Sequence, residues 1–218
     1  MDNAVALVRA YLHVNGYFTV TEYPVLEALR TGGYRIATDI DILALRLPHA
    51  GGLVPARLGR RTVDRDFSVD PALQSSLDQS DLIVGEVKEG SAELNQGARH
   101  PHVLSAVLSR FACCTPADTK AVVDGLLQNG EATTDAGLRV RLMAFGATVG
   151  PQPATGYTRL SLGHIVWFLE QHLNRHWDVL RVAQIKDPVF GFLMTLEKAR
   201  RGAGARAPLP DPQPERER

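Results

Sequence analysis

The chain has 218 residues, 44% of them hydrophobic and 22% charged, and its 24 Lys and Arg balance 24 Asp and Glu. That composition is ordinary for a globular protein of a size that buries a real core, and one domain is the simplest reading. No apolar run is long enough to cross a membrane, and zero net charge argues against a protein that coats nucleic acid through a global positive field.

In chain order, Val5, Val8 and Leu12, with Ala4, Leu7 and Tyr11 beside them, predict a helix over residues 3–14 that Gly16 ends. Arg9 and His13 interrupt its apolar part. A secretory leader is therefore not expected, and the expected location is cytoplasmic. Tyr17 to Leu26 is rich in β-branched and aromatic residues and reads as a strand, with Pro24 marking an edge. Thr31-Gly32-Gly33 is a turn signal. Strands are expected at Tyr34–Leu47 and Leu82–Lys88, separated by a long excursion from Pro48 to Ser80 with little periodicity.

Ser91 is a candidate cap for a helix beginning at Ala92, interrupted at His100-Pro101-His102 and resuming over Val103–Phe111. The adjacent Cys113 and Cys114 suit neither a disulfide nor a zinc site, and read as small buried apolar residues in a reducing compartment. Thr115-Pro116-Ala117-Asp118 opens a helix that Gly130 stops. Leu138–Phe145 alternates apolar and basic residues as a fourth strand. Helices follow at 162–178 and from Pro188 to about Arg200. The fold class is α/β: one domain over residues 1–201, with a core at about 3–145, a helical part at about 158–201, and a tail at 202–218 expected to be disordered.

Two of these strands carry acids where a buried strand should be apolar. Asp39 and Asp41 sit among Ile40, Ile42, Leu43, Ala44 and Leu45, and Glu86 and Lys88 follow Leu82, Ile83 and Val84. Charged groups are buried only when paired or metal-bound. Antiparallel pairing closed at Arg46 and Asp81 would set Asp41 opposite Glu86, with Cβ atoms about 4.5–5.5 Å apart. Facing carboxylates repel, and a hard divalent cation such as Mg²⁺ or Mn²⁺ removes the repulsion. Lys88 would lie beside it.

Thr38-Asp39-Ile40-Asp41-Ile42-Leu43-Ala44, followed by Ile83-Val84-Gly85-Glu86-Val87-Lys88, resembles the PD-(D/E)XK nuclease superfamily, whose restriction-endonuclease-like fold has an αβββαβ core with a mixed sheet flanked by helices. The resemblance covers about two-thirds of the chain. It implies a magnesium-dependent deoxyribonuclease, a hydrolase of phosphodiester bonds. Asp41 and Glu86 would bind the metal with the Val87 backbone carbonyl, and Lys88 would assist the attacking water. It also makes Glu22, Asp39 and Gln96 candidates for supporting roles. DNA is the implied partner, and no use of nucleoside triphosphates is expected, because no Gly-rich segment carries the lysine of a phosphate-binding loop. The C-terminal helices at 162–178 and 188–200 are candidates for a homodimer surface or for docking on a partner, and their apolar faces fit equally well over the sheet of their own domain.

Within the excursion, Arg57, Arg60, Arg61 and Arg65 form a basic cluster that reads equally as a phosphate-contacting arm or a solvated loop. Arg139 and Arg141 are expected to face solvent, with a phosphate groove as the alternative. His172 and His176 have helical metal spacing but no third ligand, and read as surface residues, while Trp167, Phe168 and Trp177 read as core. The competing reading is a catalytically inactive nuclease-fold module that binds nucleic acid or protein.

Overall fold

A computed structural model describes residues 2–51, 57–58, 61–62, 69–111, 113–150 and 156–202. The apolar periodicity near the N-terminus forms α1 (Asn3–Val14), capped by Asp2, whose carboxylate accepts from Ala4 N–H at 3.1 Å. The chain then makes β1 (Tyr17–Ala28) and β2 (Tyr34–Arg46) around a turn with positive φ at Gly32 and Gly33, where a side chain would be strained. The excursion contains a short hairpin, β3 (Arg57–Leu58) with β4 (Arg61–Thr62), and a single 3₁₀ turn at Pro71–Leu73. Arg57 and Arg61 fall in that hairpin, and Arg60 and Arg65 lie outside the described residues, as does the tail from 203 to 218.

β5 (Asp81–Ser91) runs longer than expected. Ser91 caps no helix, because it pairs with Thr148 and Ala92 N–H donates to the Thr148 carbonyl at 2.9 Å. The helix α2 starts instead at Pro101 and runs to Arg110, with His100 as its cap. α3 (Pro116–Asn129) begins at the Thr115 cap and ends at Gly130, whose φ of 76° is left-handed. Then come β6 (Glu131–Thr133), β7 (Arg139–Thr148), β8 (Thr158–Ser161), α4 (Leu162–Arg175), α5 (Trp177–Leu180) and α6 (Pro188–Gly202). β6 and β8 are too short for the sequence pattern to reveal.

The architecture is α/β. A mixed six-stranded sheet runs β1-β2-β5-β7-β6, with β8 also pairing β7. β5 and β8 run parallel to β7, and the other pairings are antiparallel. One face packs Ile42, Ala44, Ile83, Met143 and Phe145 against α1, α4 and α6; the other packs Leu43, Leu82, Val84, Val140 and Leu142 against α2 and α3. The C-terminal helices thus cover their own sheet through Ile165, Leu169, Leu173, Phe190 and Met194. Among the described residues no helix is long and apolar enough to cross a membrane.

Arg141 corrects the sequence expectation: it is 1% exposed and faces α1. Its guanidinium grips Asp81 bidentately at 2.9 and 2.6 Å and also donates to the Leu73 carbonyl. The Tyr17 hydroxyl donates to the same carboxylate. Burial, then the Asp81 charge, pushes the Tyr17 phenol up to about 12, so it remains a donor. Beside this pair, the Asp70 carboxylate takes the Tyr11 hydroxyl and His164 Nε2, each at 2.7 Å, and the buried Arg46 donates to the Ser76 and Ala50 carbonyls. These contacts fasten both ends of the excursion to the sheet. Such a pair is worth little against apolar replacement of both partners, but removing one strands a buried charge. Arg141→Leu or Asp81→Leu is expected to cost about 3–5 kcal/mol in urea unfolding. The double variant should recover part of that loss.

Two further sequence readings change. Trp167 is 56% exposed and not core, and His172 is buried among Phe168, Phe190 and His176. Cys113 and Cys114 are free and half-buried. Burial, then His176 and Arg175, lowers the His172 imidazole to about 4. The unfolded chain therefore takes up this proton first, at the ordinary value of about 6.5. Stability should fall as pH drops from about 6.5 towards 4, by at most about 3 kcal/mol from this group. A urea-unfolding series across that range should lose this component in His172→Leu.

Candidate active site

The acids meet where a ladder opens. β2 and β5 pair from Arg46 opposite Asp81 to Ile42 opposite Gly85, the register expected from the sequence. The next position on the two strands holds Asp41 and Glu86, and no ladder pair forms there. Instead the Asp41 carboxylate folds across the gap, and its Oδ2 accepts the Val87 N–H at 2.8 Å. β5 continues beyond the fork against β7 alone, with Glu86 opposite Ala144 and Lys88 opposite Gly146.

β1 departs from the ladder at the same level. Thr21 pairs with Ile42 and Tyr23 with Ile40, and the ladder register skips the Glu22–Asp41 position between them. Glu22 has φ of 52°, a left-handed conformation that a non-glycine residue adopts only under constraint. Across this level the strands change facing. Ile42 packs in the α1-side core and Ile40 in the α2-side core, although residues two apart on a regular strand share a face. Tyr17 and Val25 divide in the same way. The irregularity takes Asp41 out of regular pairing and leaves its carboxylate to the fork.

The loop between β5 and α2 closes the site from the α2 side. Gly97 lies so close to β2 that a Cβ there would sit 2.8 Å from Thr38 Oγ1. Asn95 spans the gap: its Nδ2 donates to Glu86 Oε1 at 2.7 Å, and its Oδ1 accepts Ala98 N–H at 2.6 Å. The expected Gln96, next to Asn95, is exposed. The signal for Asn95 was present in Asn95-Gln96-Gly97, because Asn before a glycine turn ties its own loop. Asp39 is exposed opposite Pro24, and Glu22 is exposed. Neither joins Asp41 and Glu86 in a cluster: among the described residues no three His, Cys, Asp or Glu side chains converge as a metal group.

Glu86 is 1% exposed. Its Oε1 takes both the Lys88 ammonium and the Asn95 amide, while the buried Oε2 has no hydrogen-bond partner. Burial is the largest influence on its carboxyl and raises the pKa. Lys88 opposes that rise, Asp41 adds to it, and Asn95 opposes it. At Lys88 burial works against the ammonium, but Glu86 and Asp41 outweigh it and the pKa lies above the ordinary lysine value. Lys88 is therefore a charged donor at neutral pH and cannot act as a base in this state. Comparison of the chain with family models, curated proteins and solved structures finds no match.

Because the folded state holds the Glu86 proton more tightly than the unfolded chain, this group's contribution to stability declines as pH rises from the ordinary carboxylate value through the folded one. Without added metal, Glu86→Gln should unfold at higher urea than wild type at pH 8. The gap should narrow as pH falls below the carboxylate range.

Proposed function

We propose that the chain is a metal-dependent nuclease that hydrolyses phosphodiester bonds of DNA, built on a restriction-endonuclease-like core formed by α1, β1, β2, β5, the α2–α3 segment and β7. The observation that carries this reading is the bare Oε2 of Glu86 beside Asp41 at an opened strand pair. A purely structural ion pair would satisfy both oxygens, since an unsatisfied buried acceptor costs about 1–3 kcal/mol. A divalent cation satisfies it and relieves the Asp41–Glu86 repulsion. Hard oxygen donors suit Mg²⁺ or Mn²⁺.

In this reading Glu86 Oε2, the remaining oxygen of Asp41 and the Val87 carbonyl would hold the metal. When bound, the ion supplies charge neutralisation at the phosphate and a more acidic water. Asp41 does double work, because its other oxygen holds the Val87 peptide in place. Lys88, kept protonated, donates to the attacking water or to the developing charge on the phosphoryl oxygens. Asn95 is a positioning residue that fixes Glu86 Oε1 and so aims Oε2. The second reading, a nuclease-fold module without catalysis, draws on the Lys88–Glu86 pairing and on the absence of a third converging carboxylate among the described residues.

Titration calorimetry with Mn²⁺ on wild type and Glu86→Ala, with plasmid cleavage assayed on the same samples, separates the two. The expected result is metal-dependent cleavage that Glu86→Ala abolishes together with metal binding. Lys88→Ala should retain metal binding and lose about 10²–10³ in rate. Metal binding should weaken as the pH falls and Glu86 takes up its proton. Absence of binding at millimolar Mn²⁺ would exclude the catalytic reading.

A further inference from the structure

Trp167 stands 56% exposed on α4, although tryptophan has more apolar surface to bury than most side chains. It belongs to a pattern. Gln171 and Arg175 follow it at intervals of four residues, so the three share one stripe of the helix, with Phe168 and His172 on the stripe beside it. Together with Asp70 and Pro71, from the returning end of the excursion, these residues line a pocket of about 300 Å³. Ligand sites span roughly 300–1,000 Å³, so this one has room for a single ring system.

The pocket is formed before any ligand arrives. The buried Asp70 joins its two walls: the carboxylate takes His164 Nε2 of α4 and the Tyr11 hydroxyl of α1, each at 2.7 Å, and accepts Ala72 N–H at 2.9 Å. Phe168 meets the Tyr11 ring edge-on at 5.4 Å, and the His172 ring lies 5.9 Å from Phe168. Asp70 is thus engaged by the frame, and the His172 imidazole, lowered to about 4 chiefly by burial, is neutral at ordinary pH. Arg175 is near enough to add to that lowering. The interior is therefore aromatic and uncharged, and the exposed Arg175 sets a positive charge at its rim.

We propose that this pocket binds one unpaired nucleotide of a single-stranded nucleic acid, with the base stacked on the Trp167 indole, its edge on the Gln171 amide and its phosphodiester on Arg175. Aromatic faces beside a guanidinium are the means by which single strands are held, since every base has a π-face. The Gln171 amide both donates and accepts, as base edges do. One guanidinium matches the single charge of a phosphodiester, whereas a terminal phosphate group brings about −1.5 to −2. The Cα atoms of Trp167 and Arg175 stand about 12 Å apart along the helix, which separates the base contact from the phosphate contact. A base inside a duplex has both faces covered by its neighbours, so the pocket selects single strands.

The pocket is distinct from the candidate active site. Val87 packs in the α1-side core, so Glu86 and Lys88 face the α2 side of the sheet, while α4 covers the other. The inference goes beyond the nuclease reading, and its test uses no metal.

Trp167 and Trp177 are the chain's two tryptophans, so Trp177→Phe leaves Trp167 as the reporter. In EDTA, a single-stranded oligothymidylate of about ten nucleotides should quench its emission saturably below about 100 μM. Anisotropy of the labelled oligomer on the otherwise unaltered chain should follow the same curve. Trp167→Leu and Arg175→Gln, both at exposed positions and with circular dichroism unchanged, should each weaken binding about tenfold or more. An abasic oligomer of the same length should leave Trp167 emission unchanged. Absence of quenching at about 1 mM oligomer would overturn the inference, as would abasic binding equal to that of oligothymidylate or wild-type affinity in both variants. Thymidine monophosphate binding as tightly as the oligomer would overturn the single-strand occupant and assign the pocket to a free nucleotide. Loss of metal-dependent cleavage in Glu86→Ala leaves every one of these readings unchanged, so the two hypotheses fail separately.

Discussion

The bidentate grip of Arg141 on Asp81 is the contact from which the rest of the sheet can be counted. It joins the start of β5 to β7, draws in Tyr17 from β1, and holds the Leu73 carbonyl at the returning end of the excursion. Asp81 also stands opposite Arg46, so the pair anchors the first rung of the β2–β5 ladder. Four rungs later the ladder ends and the acids begin. The position of the candidate site therefore follows from a register set at the far end of the same strands, where two buried arginines make a slip expensive. A one-residue shift would exchange every core side chain with the opposite face and strand both guanidiniums.

At the other end the physics reverses. The Arg141 pair is satisfied on nearly every polar atom, whereas Glu86 is buried with one oxygen doubly engaged and the other bare. The fold carries a cost at Glu86 that it avoids at Asp81. The raised Glu86 carboxyl and the left-handed Glu22 lie at the same level of the sheet. Unsatisfied burial and backbone strain in one place are a combination that stability alone does not select. That coincidence ties the geometry to the proposed chemistry more strongly than the acids considered singly.

Much of this was legible in the chain. The β2–β5 register could be counted because both strands are long and strongly apolar, and the excursion leaves them only one natural closing point. The helix opened by Thr115 and the starts of the helices at 162 and Pro188 were also legible, because capping is a local interaction. The residues that failed did so for a common reason. Arg141 looked like an outward position because alternation on a strand does not say which face is covered by a helix. Ser91 looked like a cap because its pairing with Thr148 is non-local. The Asn95-Gln96-Gly97 pattern marks Asn95 as the residue that ties its loop, but only the closure of that loop over β2 brings its amide to Glu86.

The sequence by itself determined which residues are acidic within apolar strands, where the local helix caps and turns fall, and which strands could pair. These depend on interactions within a few residues or on side-chain period, which the chain writes directly. Only the tertiary structure decided that the strands change facing at Glu22 and Asp41, that Asn95 takes one oxygen of Glu86 while the other stays bare, and that Phe18 and Val20 stay exposed on an end strand. Each of these depends on what another layer does or does not cover. Burial of that kind is a property of the assembled sheet and helices, which no single segment contains.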